Sequence, residues 1–241
     1  MKKLTKSSEL LWIFGTIFVA LGVSICSKAN LGVSMIAAPA FVLSEALLAV
    51  WSGFTVGVVE YVFQGVILII LFIVLKKFNV KFLFTFAVAV IYGYVLNFFI
   101  WILGGIDLSE VWLRWVMLIV GDIITAFGVA CYFRTNYPLQ VYELFVSKTA
   151  YKFNTSINKV KSIFDMSLLV VSIILALTLF GDIATFNWSA IYYTSFHSIG
   201  LGTILTTLIN SPLIAFSGKI LDVFFDNRPL FPKIENVLLI N

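Results

Sequence analysis

The sequence is poor in charge. Asp, Glu, Lys and Arg make up 12% of its 241 residues against 61% apolar residues, and the mean hydropathy is +1.06. Soluble domains are about half apolar and about a quarter charged, so a water-soluble globule is excluded and a polytopic membrane protein is indicated. Histidine is nearly absent: His197 stands alone, so no multi-histidine metal site can form and no metal is expected. Its place at the outer end of the last apolar run points to interfacial hydrogen bonding. The two cysteines, Cys26 and Cys131, have no C-x-x-C spacing and read as small packing residues. Also missing are H-E-x-x-H, G-x-S-x-G, G-x-x-x-x-G-K-[ST] and a dinucleotide fingerprint opening a helix after a strand. The chain therefore reads as a non-enzyme with no cofactor and no nucleotide-driven energy coupling of its own. The net charge of +4 does not imply nucleic acid, because the basic residues fall in short clusters between apolar runs rather than along one face.

What is present is a repeat. Residues 15–30, G-T-I-F-V-A-L-G-V-S-I-C-S-K-A-N, return 106 positions later as residues 121–136, G-D-I-I-T-A-F-G-V-A-C-Y-F-R-T-N. Gly15/Gly121, Ile17/Ile123, Ala20/Ala126, Gly22/Gly128, Val23/Val129, Lys28/Arg134 and Asn30/Asn136 match. Further along the register drifts, placing Phe63-Gln64 opposite Phe164-Asp165 and Tyr92-Gly93 opposite Leu201-Gly202. The chain reads as two fused copies of one unit.

A membrane-spanning helix needs about 20 mostly apolar residues. Six stretches supply them: 10–28, 55–75, 82–104, 111–133, 161–181 and 198–219. Lysines before the first run mimic a signal peptide, but Ile25 spoils a lipobox before Cys26 and the repeat retains the helix, so it reads as a span. Two further stretches, 33–50 with Ser34, Pro39, Ser44 and Glu45, and 138–152 with Gln140, Glu143, Lys148 and Lys152, suit re-entrant or interfacial helices better than full spans. If 33–50 crossed completely, the loop carrying Lys76, Lys77 and Lys81 would be exported, against the positive-inside rule. With six spans and both termini cytoplasmic, only Lys28 and Arg114 lie outside.

Each copy then has three spans and one short helix, and an odd number of spans turns the second copy upside down. The expected fold is an all-α membrane protein of six transmembrane helices in two inverted-topology repeats, 1–104 and 111–219, followed by a cytoplasmic tail at 220–241. Gly15, Gly22, Gly121, Gly128 and a G-x-x-x-G at Gly53/Gly57 suggest close helix contact. Pro39, Pro138, Gly202 and Pro212 are the candidate helix breaks, the last span being expected to be interrupted at 200–203 and at 210–212. Trp188, Tyr192, Tyr193 and Phe196 suit the outer headgroup layer.

Polar groups within the apolar runs mark the candidate site. Asp122 stands near the middle of its span, where an ionised carboxylate needs a partner or water, and is the foremost candidate for proton or ion coupling. Glu60 and Gln64, four apart, share a helix face, and Glu60 has no basic residue within helical reach. Their counterparts Lys161 and Asp165 read as a helix-surface ion pair. Asn136, Gln140, Glu143 and Ser147 draw one polar stripe, suited either to a cavity or to the cytoplasmic face of an interfacial helix.

Residues 20–34 (A-L-G-V-S-I-C-S-K-A-N-L-G-V-S), E-Y-V-F-Q at 60–64 and G-L-G-T at 200–203 resemble the bacterial YczE/YyaS/YitT-type membrane proteins. Related sequences often carry Asp or Arg-Asp after a proline following the first helix of each half. Pro39 and Pro138 are followed by no charge here. The expectation is a secondary transporter or permease of the bacterial cytoplasmic membrane for a small cationic or neutral solute, with a site at the bilayer midplane. The lipid bilayer and that solute are the expected partners. The alternative is an accessory or regulatory subunit, or the substrate-binding component of a larger transporter, binding its own copies or another membrane protein.

Overall fold

In the computed structural model, residues 8–76, 79–181 and 186–225 are described. The apolar runs become helices because a bilayer leaves backbone polar groups no partner outside the helix itself. Among the described residues there are eight: α1 (Ser8–Ala29), α2 (Ala38–Leu48), α3 (Val56–Leu75), α4 (Phe82–Leu103), α5 (Val111–Tyr132), α6 (Val141–Lys152), α7 (Ile157–Leu179) and α8 (Leu201–Phe224). A 3-10 turn at Trp188–Ala190 and one isolated bridge between Phe196 and Ile199 complete the set, with no β-strand among these residues. Six helices, α1, α3, α4, α5, α7 and α8, are long and apolar enough to cross a membrane. The chain is a multi-pass integral membrane protein. Lys2, Lys3, Lys6, Lys77 and the tail beyond Phe225 lie outside the described residues.

Several expected boundaries move, each for a local reason. α7 begins at Ile157 rather than near Lys161 because Ser156 accepts the Lys159 amide as an N-cap. The last span is not interrupted. α8 runs unbroken from Leu201 to Phe224, with Gly202 in its first turn and Pro212 inside it. Pro212 removes one amide donor, but in apolar surroundings the neighbouring groups have no better partners than the helix ladder, so the helix continues through it. Pro39 sits at the first positions of α2 and starts the helix rather than breaking it. Pro138 lies before α6, its carbonyl accepting the Trp12 indole N–H at 3.0 Å. Gly53 lies in the turn before α3, so Gly53 and Gly57 do not form one helical face.

The helices α2 and α6 have 11 and 12 residues, about half the length of a span. α2 follows a buried, non-helical segment in which Gly32 takes a φ of +105°. That segment is tied to the start of α8 by the Gly202 amide donating to the Leu31 carbonyl at 2.8 Å and the Val33 amide to Ser198 at 3.0 Å.

At the centre α1 and α5 cross antiparallel, in the most extensive interface of the molecule. Four glycines allow the approach. A Cβ on Gly15 would sit 3.1 Å from the Tyr132 ring and 3.3 Å from the Gly128 carbonyl oxygen, and one on Gly121 2.7 Å from Cys26 Sγ and 2.8 Å from the Gly22 oxygen. Likewise a Cβ on Gly22 would strike Thr125 and Gly121, and one on Gly128 would strike Val19 and Gly15. Each contact recurs with its two residues exchanged across the 106-residue offset. The rest of the packing follows suit: α1 packs on α4 as α5 on α8, α2 on α7 as α3 on α6, and α2 on α3 as α6 on α7. One pair departs. α3 and α4 pack closely through Gly57 and Gly93, whereas α7 and α8 form no comparable interface and flank an apolar groove of about 230 Å³.

Candidate functional site

Beside the α1/α5 crossing lies a cavity of about 30 Å³, enough for one or two water molecules. Its walls come from both halves. Val19 and Thr125, Val23 and Val129, Ser34 and Gln140, Ile36 and Tyr142, and Ala37 and Glu143 all line it, and the members of each pair are 106 positions apart. Glu60 and Lys161, counterparts once the register drifts, face it together, and Tyr92 of α4 and Asn210 of α8 complete it.

Both half-length helices begin at this cavity, Ala37 and Gln140 being their N-caps. Helix N-termini ordinarily attract anions through free amides and the helix dipole. Here the Ala37, Ala38 and Val141 amides are engaged. The Ala37 and Ala38 amides donate to the Ser34 carbonyl at 3.0 and 2.9 Å, and Pro39 has none to offer. The Val141 amide donates to Gln64 Oε1 at 3.3 Å, while Gln64 Nε2 donates to Glu60 Oε1 at 3.4 Å. Gln64 thus carries the N-terminal field of α6 to the Glu60 carboxylate.

What is left over is oxygen. Glu143 Oε2 and Asn210 Oδ1 are buried with no hydrogen-bond partner within the protein, and Glu60 Oε2 and the Tyr142 hydroxyl have only each other to turn to; all four residues line the cavity. Each unsatisfied buried polar atom costs about 1–3 kcal/mol, so this cluster at one void is unusual for a packed core. Glu60 is 1% exposed and Tyr142 3%. Burial pushes the Glu143 carboxyl above its ordinary range, against its own backbone N–H and Lys161, which hold it down. Gln140 fastens the cavity to α1 through a chain: its Nε2 donates to the Tyr132 hydroxyl at 3.1 Å, which donates to Thr16 Oγ1 at 2.8 Å.

The residues singled out in the sequence divide. Glu60, Gln140 and Glu143 line the cavity, and Gln64 and Asp165 stand directly behind it through Glu60 and Lys161. The Lys161–Asp165 pair, 3.0 Å between Nζ and Oδ2, is not on the surface: the two side chains are 12% and 11% exposed, and the ammonium faces the cavity. The polar stripe on 136–147 is not one helical face, because Asn136 and Gln140 precede α6. Asn136 is exposed, its amide donating to Ser8 Oγ at 2.8 Å, and takes no part in the cavity. With Gln140 and Glu143 buried, α6 does not lie with that stripe in water. Asp122 is buried on α5 but lies outside the cavity, beside Cys26. That contact is the counterpart of Thr16 with Tyr132 across the 106-residue offset.

Over residues 6–219 the chain matches a family model. It belongs to DUF6198, a family of unknown function. No curated protein and no solved structure matches it. The finer likeness of this DUF6198 protein to the YczE/YyaS/YitT-type proteins rests on the motifs quoted above and has no support in that match.

Sequence reasoning passed over Tyr92, Tyr142 and Asn210. Tyr142 falls off the polar stripe, and Asn210 sits beside Pro212, where it read as part of a helix break. Tyrosine in a membrane chain is ordinarily an interfacial anchor, so its type alone carried no signal. Asn210 did carry one, an amide within an apolar run.

Proposed function

We propose that this protein is a small secondary transporter or permease, acting without catalysis, with its substrate site in the cavity between the two halves. The observation that carries the reading is the set of under-bonded buried oxygens of Glu60, Tyr142, Glu143 and Asn210, on residues that line a void whose walls are supplied in equivalent pairs by both halves. A stabilising core would have filled or paired them. The substrate class is a small cation or a neutral hydrogen-bond donor, because the unpaired groups at the void are mainly carboxylate and amide oxygens and the Ala37, Ala38 and Val141 amides are taken.

We further read the halves as inverted repeats in the cytoplasmic membrane with both described ends inside, and α2 and α6 as re-entrant helices meeting at the site. Supporting this are the antiparallel α1/α5 crossing, the exchange of partners across it and the short length of α2 and α6. Alternating access then amounts to one half rocking against the other about the glycine-packed crossing.

The test is uptake in proteoliposomes. Wild-type protein moves a small cation or neutral solute, and Glu60→Gln, which keeps size and the contact with Gln64, loses that flux while purifying as folded protein. Absence of flux together with a stoichiometric membrane partner on purification would transfer the protein to the accessory-subunit class.

A further inference from the structure

Resting on the reading of the cavity as the substrate site, we infer that its ligand is a small monovalent inorganic cation, and that the Lys161 ammonium is a tethered competitor for the same oxygens.

The volume sets the first limit. About 30 Å³ admits a bare or singly hydrated ion and is too small for an organic solute unless the walls move. The donor set comes next. Glu60 Oε2, Glu143 Oε2, Asn210 Oδ1 and the Tyr142 hydroxyl are oxygen ligands suited to hard cations. The Lys161 ammonium lines the same void, and an ion that trades places with this single charge is matched to it when monovalent. The Glu143 side chain is the mark of a ligand, since a carboxylate on a residue 8% exposed, with Oε2 unpaired at the void, has no structural use there.

Lys161 supplies the exchange. Its Nζ lies 3.0 Å from Asp165 Oδ2, on the cavity wall that also carries Glu143, and a second void of about 10 Å³ is lined by Tyr142, Glu143 and Lys161 together. Two carboxylates buried without a cation repel each other. An ammonium that leans from Asp165 toward Glu143 relieves this when the ion has left, and withdraws to Asp165 when the ion arrives. The position suits the role: Lys161 is the second half's counterpart of Glu60, so acid and base confront each other across one void.

The experiment is thermal unfolding of the purified full chain in detergent. Chlorides of Li⁺, Na⁺ and K⁺ are titrated against N-methylglucamine chloride at constant ionic strength and pH. The expected result is saturable stabilisation by one of the three ions, lost in Glu60→Gln and weakened in Tyr142→Phe. In Lys161→Met the apparent Kd for that ion falls about tenfold, a charge competitor having been removed. Because Lys161→Met strands Asp165, the double variant Lys161→Met/Asp165→Asn is measured beside it and shows the same tightening. Equal melting in all four salts, for wild type and double variant alike, overturns the cation assignment. Cation binding that tightens in neither Lys161 variant overturns the competitor role. Proteoliposome counterflow separates these failures from failure of the transport reading: solute flux indifferent to all three ions sinks the inference and leaves transport standing, whereas ion binding without any flux does the reverse.

Discussion

The two halves of the molecule share a frame and differ in what they hang on it. At the crossing of α1 and α5 the match is close: Gly15 with Gly128 and Gly22 with Gly121 are the same contact seen from opposite ends. At the cavity the equivalent positions are chemically unlike. The first half places Ser34, Ile36 and Ala37 where the second places Gln140, Tyr142 and Glu143, and it places Glu60 where the second places Lys161. Backbone approach admits only glycine and therefore tolerates little divergence, whereas a polar void tolerates any side chains whose charges and hydrogen bonds balance across it. The matched part is the helix crossing, and on the proposed reading the substrate chemistry lies where the halves disagree.

The strongest way to break this comparison is topology. Cysteines introduced singly at Asn79 and Lys159 should react with a membrane-impermeant maleimide only from the cytoplasmic side, and one at Asp107 only from outside, in an all-or-none pattern. Labelling of position 79 from outside would leave two parallel copies and remove the axis on which the shared cavity depends.

Next in size is the cavity itself. Glu60→Gln should lower transport by about 100-fold, the scale of losing one member of a buried charge set. Ser34→Ala, at the quiet position, should leave it within about twofold, because the Ser34 carbonyl and not its side chain takes the α2 amides. Its counterpart Gln140→Ala should be the more damaging of the two, since it cuts the bond to Tyr132. Equal losses for Ser34 and Gln140, measured as initial uptake rates, would mean that the halves contribute alike.

The frame gives a smaller effect. Gly22→Ala and Gly121→Ala should each cost about 1–3 kcal/mol in reversible detergent unfolding, by overpacking the crossing. Gly105→Ala, whose Cβ would meet nothing within 4 Å, should cost nothing measurable. A mild Gly22→Ala paired with a severe Gly121→Ala would show that the crossing is not reciprocal.

Much of this was legible in the chain, though unevenly. The six spans followed from hydropathy, and close helix contact from the glycines repeated at 106 residues, though not that α1 and α5 are the partners. Glu60 was legible as an acid without a local partner. That Asp122 lies outside the cavity was not legible, because a carboxylate in mid-span looks the same in sequence whether or not it lines one. The continuity of α8 through Pro212 was not legible, since a proline signals a lost donor but not how the surroundings accommodate it. Nor was the convergence of Tyr92, Tyr142 and Asn210, which depends on how α4, α6 and α8 pack around the crossing.

The smallest effect compares the two cations that close the repeated stretch. Lys28 and Arg134 occupy equivalent positions at the ends of α1 and α5. Lys28 Nζ donates to the Gly104 carbonyl at 3.0 Å, a single bond at an exposed site. Arg134 instead grips Asp222 of α8 with two bonds of 2.7 Å, its guanidinium lying over Gly218, where a Cβ would collide with it. The bidentate geometry favours Arg134, but Asp222 is 55% exposed, so water and salt screen the pair and its worth stays below about 1 kcal/mol. Arg134→Lys should therefore lower stability by a few tenths of a kcal/mol up to about 1 kcal/mol, and the loss should shrink in 0.5 M salt by about half or more. Lys28→Arg should be neutral, because a lone carbonyl acceptor cannot use the second arm of a guanidinium. Unfolding measured at two salt concentrations decides it. A salt-independent loss on Arg134→Lys would show that the side chain acts by packing over Gly218, and that the two ends of the repeat differ in shape rather than in charge.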